Sequence, residues 1–188
     1  KKIFVHEYIT VNGQKMSKTV GNVLDPVPLI EKYGEDALRY YLLAKISPFA
    51  DGDFSEEKLK EVYNADLANG LGNLVARIAK LCERVTLKTS PVPTLSEDYK
   101  KGLESFKLNE VLENIWNEIR ILDQKINTEE PWKITDEKKL TQVLQSSVDG
   151  IISIANNLKP FLPKTAQKIE EQFKRPRILS QKPLFPRT

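Results

Sequence analysis

From Ser55 onward, apolar residues recur three and four positions apart, the period of a helix with one buried face. At about 100° per residue, Leu71, Leu74, Val75, Ile78, Leu81 and Cys82 fall on one stripe. Asn69, Asn73, Arg77, Lys80 and Arg84 gather on another face, clear of that stripe. The same period predicts three long amphipathic segments: Ser55 to Val85, Glu97 to Ile126 with a kink near Lys107, and Asp136 to Leu158. A fourth runs from about Lys164 to Phe173, after Pro160 and Pro163. Ser55, Ser96 and Thr135 each precede two acidic residues, as an N-cap before a dipole-favoured first turn should. Pro91-Val92-Pro93 and Thr128 to Pro131 supply the connections. The pattern is mainly α, a helical bundle with short loops.

Upstream of Ser55 the pattern changes. Ile3 to Ile9 is short and β-prone, and Asn12-Gly13 marks a turn. A lone strand cannot satisfy its backbone hydrogen bonds, so this stretch is expected to be cut from a larger α/β sheet. A polar loop, Gln14 to Asn22, leads to Asp25-Pro26, a helix-start signal. Short helices are expected from about Pro28 to Lys32 and from Glu35 to Ile46, broken by Gly34 and stopped before Pro48. Two parts follow, residues 1–50 and residues 51–188.

Composition narrows the setting more than the function. An apolar fraction of 40% supports a core, and a net charge of +3 does not by itself announce a nucleic-acid binder. Lys164, Lys168, Lys174, Arg175, Arg177, Lys182 and Arg187 make the end of the chain basic, as solvated tails often are. One cysteine, no bilayer-length apolar run and no signal peptide predict a soluble, cytoplasmic protein without membrane contact. His6 is the only histidine and no Cys/His cluster exists, so no metal site is expected here.

Candidate chemistry lies in Lys15-Met16-Ser17-Lys18-Thr19. Joining an amino-acid carboxylate to AMP expels pyrophosphate, and mobile ammonium groups that meet the growing charge lower the barrier. Lysine suits this as a compact charge on a flexible stem. A polar loop between Gly13 and Gly21 can close over a triphosphate and reopen. Taken alone, the pentapeptide is as readily a solvated turn. It resembles the Lys-Met-Ser-Lys-Ser loop of class I aminoacyl-tRNA synthetases, with Thr19 in place of the final Ser. Gly21-Asn22, Asp25-Pro26 and Tyr33-Gly34-Glu35-Asp36-Ala37-Leu38-Arg39 follow in that family's order.

The run from Asn64 to Arg77 resembles methionyl-tRNA synthetases in particular. So do Asp51-Gly52-Asp53-Phe54-Ser55, Pro131-Trp132, Leu158 to Pro163 and Leu184-Phe185-Pro186-Arg187. The resemblance implies that residues 1–50 are the C-terminal edge of a catalytic domain and residues 51–188 an anticodon-binding helical domain. It implies ATP, with Mg2+, and methionine as substrates of a full-length parent, Lys18 meeting ATP, and the anticodon stem-loop of tRNA(Met) as partner. It assigns anticodon contact to Asn73 and Arg77, and base stacking to the Pro131-Trp132 pair. A solvated helix face and a packed tryptophan are the plain alternatives for those residues. The resemblance departs at Gln124, where the family usually carries Asn about seven residues before that proline. Trp116, in mid-helix, reads as core. The family's His-Ile-Gly-His element is absent and its zinc, where present, lies upstream, so this chain alone should not activate methionine. Sister synthetases for isoleucine, valine, leucine or cysteine share the loop but lack the Asn64–Arg77 run and the Leu-Phe-Pro-Arg ending. A helical adaptor has no use for both loop lysines.

Overall fold

The computed structural model describes residues 3–89 and 91–187. Strand β1 (Ile9–Val11) pairs antiparallel with β2 (Gln14–Lys15) and parallel with β3 (Gly52–Phe54), giving the order β2-β1-β3. The expected strand from Ile3 is therefore corrected: it starts only at Ile9, and it has partners. Ahead of it, Phe4 stacks on Phe106 with ring centroids 4.3 Å apart and meets Phe49 edge-on, while the backbones of Glu7 and Tyr8 bond to Pro48, Asp51 and Gly52.

Helices α1 (Pro26–Tyr33) and α2 (Glu35–Lys45) follow the hairpin. Asp25 caps α1 by accepting from the Val27 N–H. Past β3 come α3 (Glu56–Val62) and, after a wider turn, α4 (Asn73–Cys82); then α5 (Glu97–Glu104), α6 (Leu108–Glu129), α7 (Glu137–Leu158) and α8 (Pro163–Phe173). The expected kink at Lys107 is a full break, with Phe106 at φ 57° between α5 and α6. Ser55 and Ser96 cap their helices as expected. Thr135 does not: Asp136 accepts from the Lys139 N–H instead, a carboxylate meeting both the orphan donor and the helix dipole better than a hydroxyl.

The expected single helix from Ser55 to Val85 is also corrected. Residues Tyr63–Gly72 form a π-helical segment, and the Asn73 N–H reaches back five residues to the Ala68 carbonyl. Gly72 suits this wide turn, since a Cβ there would sit 3.0 Å from the Leu67 carbonyl oxygen. The apolar stripe still packs inward: Leu71, Leu74, Val75, Ile78 and Cys82 are buried, with Ile115, Ile126, Ile151, Leu158 and Ile169 from neighbouring helices. Each such side chain contributes about 1.5–3 kcal/mol relative to exposure. Burial pushes the Cys82 thiol up to about 12, so it is inert as a nucleophile. Trp116 is buried and stacked on Tyr40 at 4.1 Å.

Two segments fasten the first part of the chain to the bundle. Buried Asp36 on α2 accepts from the Thr165 N–H at 2.6 Å, in the first turn of α8. One turn along, Arg39 donates to the Phe161 and Pro160 carbonyls between α7 and α8, at 2.7 and 2.8 Å. The end of the chain returns as a strap: Phe185 packs edge-on to Tyr63, whose hydroxyl donates to the Pro186 carbonyl. We expect Asp36→Ala to strip α8 of its cap and cost about 1–2 kcal/mol. In a chain of this size that lowers Tm by about 2–8 °C. An unchanged thermal melt counts against the clamp.

Candidate functional site

The hairpin presents the lysine loop. Asn12 and Gly13 both have positive φ, 51° and 75°, which matches a two-residue turn to the twist of the strands. Asp53 secures the tip by accepting from the Gly13 N–H at 2.7 Å and the Thr10 hydroxyl at 2.8 Å. These bonds, the backbone one foremost, hold its carboxyl below the usual carboxylate range. Beyond β2, Asn22 closes the loop on itself. Its side-chain oxygen accepts from the Ser17 N–H at 2.7 Å and its amide donates to the Lys15 carbonyl at 3.0 Å. Met16 and Ser17 are half-buried, while Lys15, Lys18 and Thr19 face solvent. Lys15 Nζ lies 5.5 Å from the Tyr8 ring centre. The arrangement is a closed turn with its cations outward, following β2 at the edge of the sheet opposite β3.

The second group of residues lies on α4 and the end of α6. Asn73 is exposed at the start of α4, and Arg77 follows one turn later. Arg77 is not the free surface guanidinium its position suggested. Its Nη2 meets Asp123 Oδ1 at 2.5 Å and its Nη1 meets Asn127 Oδ1 at 2.9 Å. Asn127 Nδ2 in turn donates to Asp123 Oδ2 at 3.1 Å, closing a ring of three side chains. Asn69, on the same polar face, is engaged by Arg187 from the terminal strap at 2.9 Å. Lys80 pairs with Glu83, and that bond, followed by those from Ser180, holds the Glu83 carboxyl down to about 2.

Arg84 bonds to the turn that follows α6. Glu130 takes a left-handed conformation, φ 43°, and a single 3₁₀ turn spans Pro131–Lys133. Arg84 donates to the Pro131 and Ile134 carbonyls, both at 3.4 Å, bracketing Trp132. Pro131 is buried, whereas Trp132 is 46% exposed. Its ring is thus offered to solvent from an anchored backbone, just past the end of α6, the helix to which Arg77 bonds. Gln124 is exposed on α6. Arg84 is on the polar face read from sequence, but its bonds to this turn are not legible there, and Asp123 and Asn127 are not on that face at all. Asp123 and Asn127 sit at i and i+4 just before Pro131, the same spacing that marked Asn73 and Arg77.

Among the described residues, no group of three His, Cys, Asp or Glu side chains could hold a metal ion. None of their helices is long and apolar enough to cross a membrane.

Residues 1–79 match the family model described as tRNA synthetases class I (M). The chain is 36% identical to the methionine–tRNA ligase of Thermotoga maritima and 38% identical to that of Clostridium acetobutylicum. Those alignments cover 90% and 92% of this chain but only 30% of either relative. Among solved structures it resembles Mycobacterium tuberculosis methionyl-tRNA synthetase bound by methionyl-adenylate, with a TM-score of 0.77 at 24% identity over 95% of this chain and 43% of that one. The apo form of the same enzyme gives a TM-score of 0.76 at 21% identity, covering 97% and 43%. Those two likenesses bear on the fold.

Proposed function

We infer, for a chain that belongs to the methionyl-tRNA synthetase family, that its own task is to bind the anticodon of methionine tRNA while carrying the lysine loop of the activation site. Residues 1–50 are then the edge of the catalytic domain and residues 51–188 the anticodon-binding domain, with Asp53 anchoring the loop across that boundary. The observation that carries the reading is Trp132: a half-exposed ring on a turn bracketed by Arg84, which lies two residues past the helix that carries Asn73 and Arg77. A flat aromatic face stacks on an unpaired base, and amide and guanidinium groups read base edges. Titrating the chain with a methionine anticodon stem-loop and with anticodon-altered hairpins tests this. Preference for the methionine anticodon supports it; equal affinity for all hairpins overturns it.

In the full-length, cytoplasmic enzyme we assign Lys15 and Lys18 to the leaving pyrophosphate of ATP·Mg2+. The M. tuberculosis protein was captured with methionyl-adenylate, the mixed anhydride that such a step produces. Met16, Ser17 and Thr19 shape the turn that carries the two ammonium groups. Transferring AMP to methionine also needs the other side of the site, and the His-Ile-Gly-His element that the resemblance places there does not occur in this sequence. The isolated chain is therefore expected to fold yet to catalyse no methionine-dependent exchange of pyrophosphate into ATP. Detectable exchange by the purified chain counts against this division of labour.

A further inference from the structure

We propose that the segment from Lys174 to Lys182 is a docking surface for RNA phosphates, adding affinity for the strand without reading its sequence; this rests on the bundle binding RNA at Trp132. Lys174, Arg175, Arg177 and Lys182 put four cations into nine residues, and no Asp or Glu occurs from Gln172 to Thr188. All four side chains are exposed. Among the described residues, none of the four forms an ion pair with a carboxylate. The charge pattern suggested a solvated tail, yet the backbone that carries these cations is fastened. The Pro176 carbonyl accepts from the Leu87 N–H, and the Leu179 carbonyl from the Gln172 amide, both at 2.9 Å. The Ser180 N–H donates to Glu83 Oε1 at 3.1 Å. Between these bonds, Ile178 is buried.

Like charges held this close on an ordered chain repel one another, and no carboxylate of the segment offsets them. A polyanion does. Because the backbone is already fixed, binding does not have to order it, and each cation meets a phosphate at small entropic cost. The place in the fold says which polyanion fits. Glu83 fixes Ser180, and the next residue, Arg84, bonds to the carbonyls of Pro131 and Ile134 on either side of Trp132. The basic segment and the Trp132 turn are thus fastened to consecutive residues at the end of α4. An RNA strand carries a phosphate at every nucleotide, so a strand with one base on Trp132 runs its backbone over the surface beside that turn. Cations on phosphates set position and add affinity but carry no sequence information. Lys88, next to the Leu87 that holds Pro176, adds a fifth exposed cation.

The test compares the full chain with a variant in which Lys174→Gln, Arg175→Gln, Arg177→Gln and Lys182→Gln are combined. A control with the same change of charge combines Lys60→Gln, Lys100→Gln, Lys101→Gln and Lys107→Gln, on α3, on α5 and at the α5–α6 break. Each protein is titrated with the methionine anticodon stem-loop and an anticodon-altered hairpin across a salt series. The first variant should melt as the parent does, since the bonds that fasten the segment use none of the replaced side chains. It is expected to bind both hairpins about tenfold more weakly at low salt and to keep the parent's preference between them. The slope of its log Kd on log salt should fall by about 1.4, two phosphate contacts to single-stranded RNA. The control should keep the parent's slope. Should the four-fold variant fold poorly, Arg175→Gln with Arg177→Gln is expected to show about half the fall in slope. The proposal is overturned by an unchanged slope in the variant, by an equal fall in the control, or by a loss of preference. A parent chain that does not distinguish the two hairpins fails the anticodon reading itself, whereas a parent preference beside an unchanged variant slope fails the docking surface alone.

Discussion

Replacing Lys18 by alanine in the full-length enzyme is expected to slow adenylate formation by about 10²-fold or more while barely changing methionine affinity. The loop explains why the effect falls on rate. Lys18 faces solvent, and the turn is held by Asn22 through the Ser17 N–H and the Lys15 carbonyl, and by Asp53 at the hairpin tip. Removing the ammonium leaves every one of those bonds in place, so the fold and the ground-state site should survive. In the proposed role, what is lost is a charge that meets pyrophosphate as its negative charge grows. Single-turnover adenylate formation, measured beside methionine binding, separates the two. Equal losses in rate and binding would mark Lys18 as a ground-state contact.

The helices were legible because their apolar period is local: Leu71, Leu74, Val75 and Ile78 declare a buried stripe within eight residues, and all four are buried. Features that depend on distant partners were not. Strand β3 is only Gly-Asp-Phe, too short to show alternation, and its pairing of Ile9 with Gly52 bridges most of the first part of the chain. The π-helical turn at Tyr63–Gly72 keeps a nearly helical pattern of apolar residues, so periodicity alone reads it as α. Of the candidate residues, Lys15 to Thr19, Asn73, Arg77, Pro131 and Trp132 could be named from local patterns and resemblance. Their supports could not: Asp53 under the hairpin, Arg84 behind the Trp132 turn and Asp123 against Arg77 are tertiary contacts between residues 40 or more apart. Arg77 shows the consequence best. Its spacing from Asn73 fixed which face it is on, but its hydrogen bonds are set by another helix.

Trp132→Ala is expected to weaken binding of a methionine anticodon stem-loop by roughly ten- to a hundredfold, the worth of one lost base–aromatic stack. The fold should hardly notice. Trp132 is 46% exposed, its turn is bracketed by Arg84 bonds to the carbonyls of Pro131 and Ile134, and buried Pro131 supplies the packing. None of those contacts uses the indole ring. A tryptophan that lay over the bundle as a lid would behave in the opposite way, since truncating a buried aromatic costs about 3–5 kcal/mol of stability. Trp116 supplies the internal contrast: it is buried and stacked on Tyr40, so Trp116→Ala should lower the melting temperature of the same chain. Thermal melts beside RNA titrations therefore separate the two tryptophans. A Trp132→Ala chain that melts much lower but binds RNA normally when folded would remove the stacking role and leave this residue to the core.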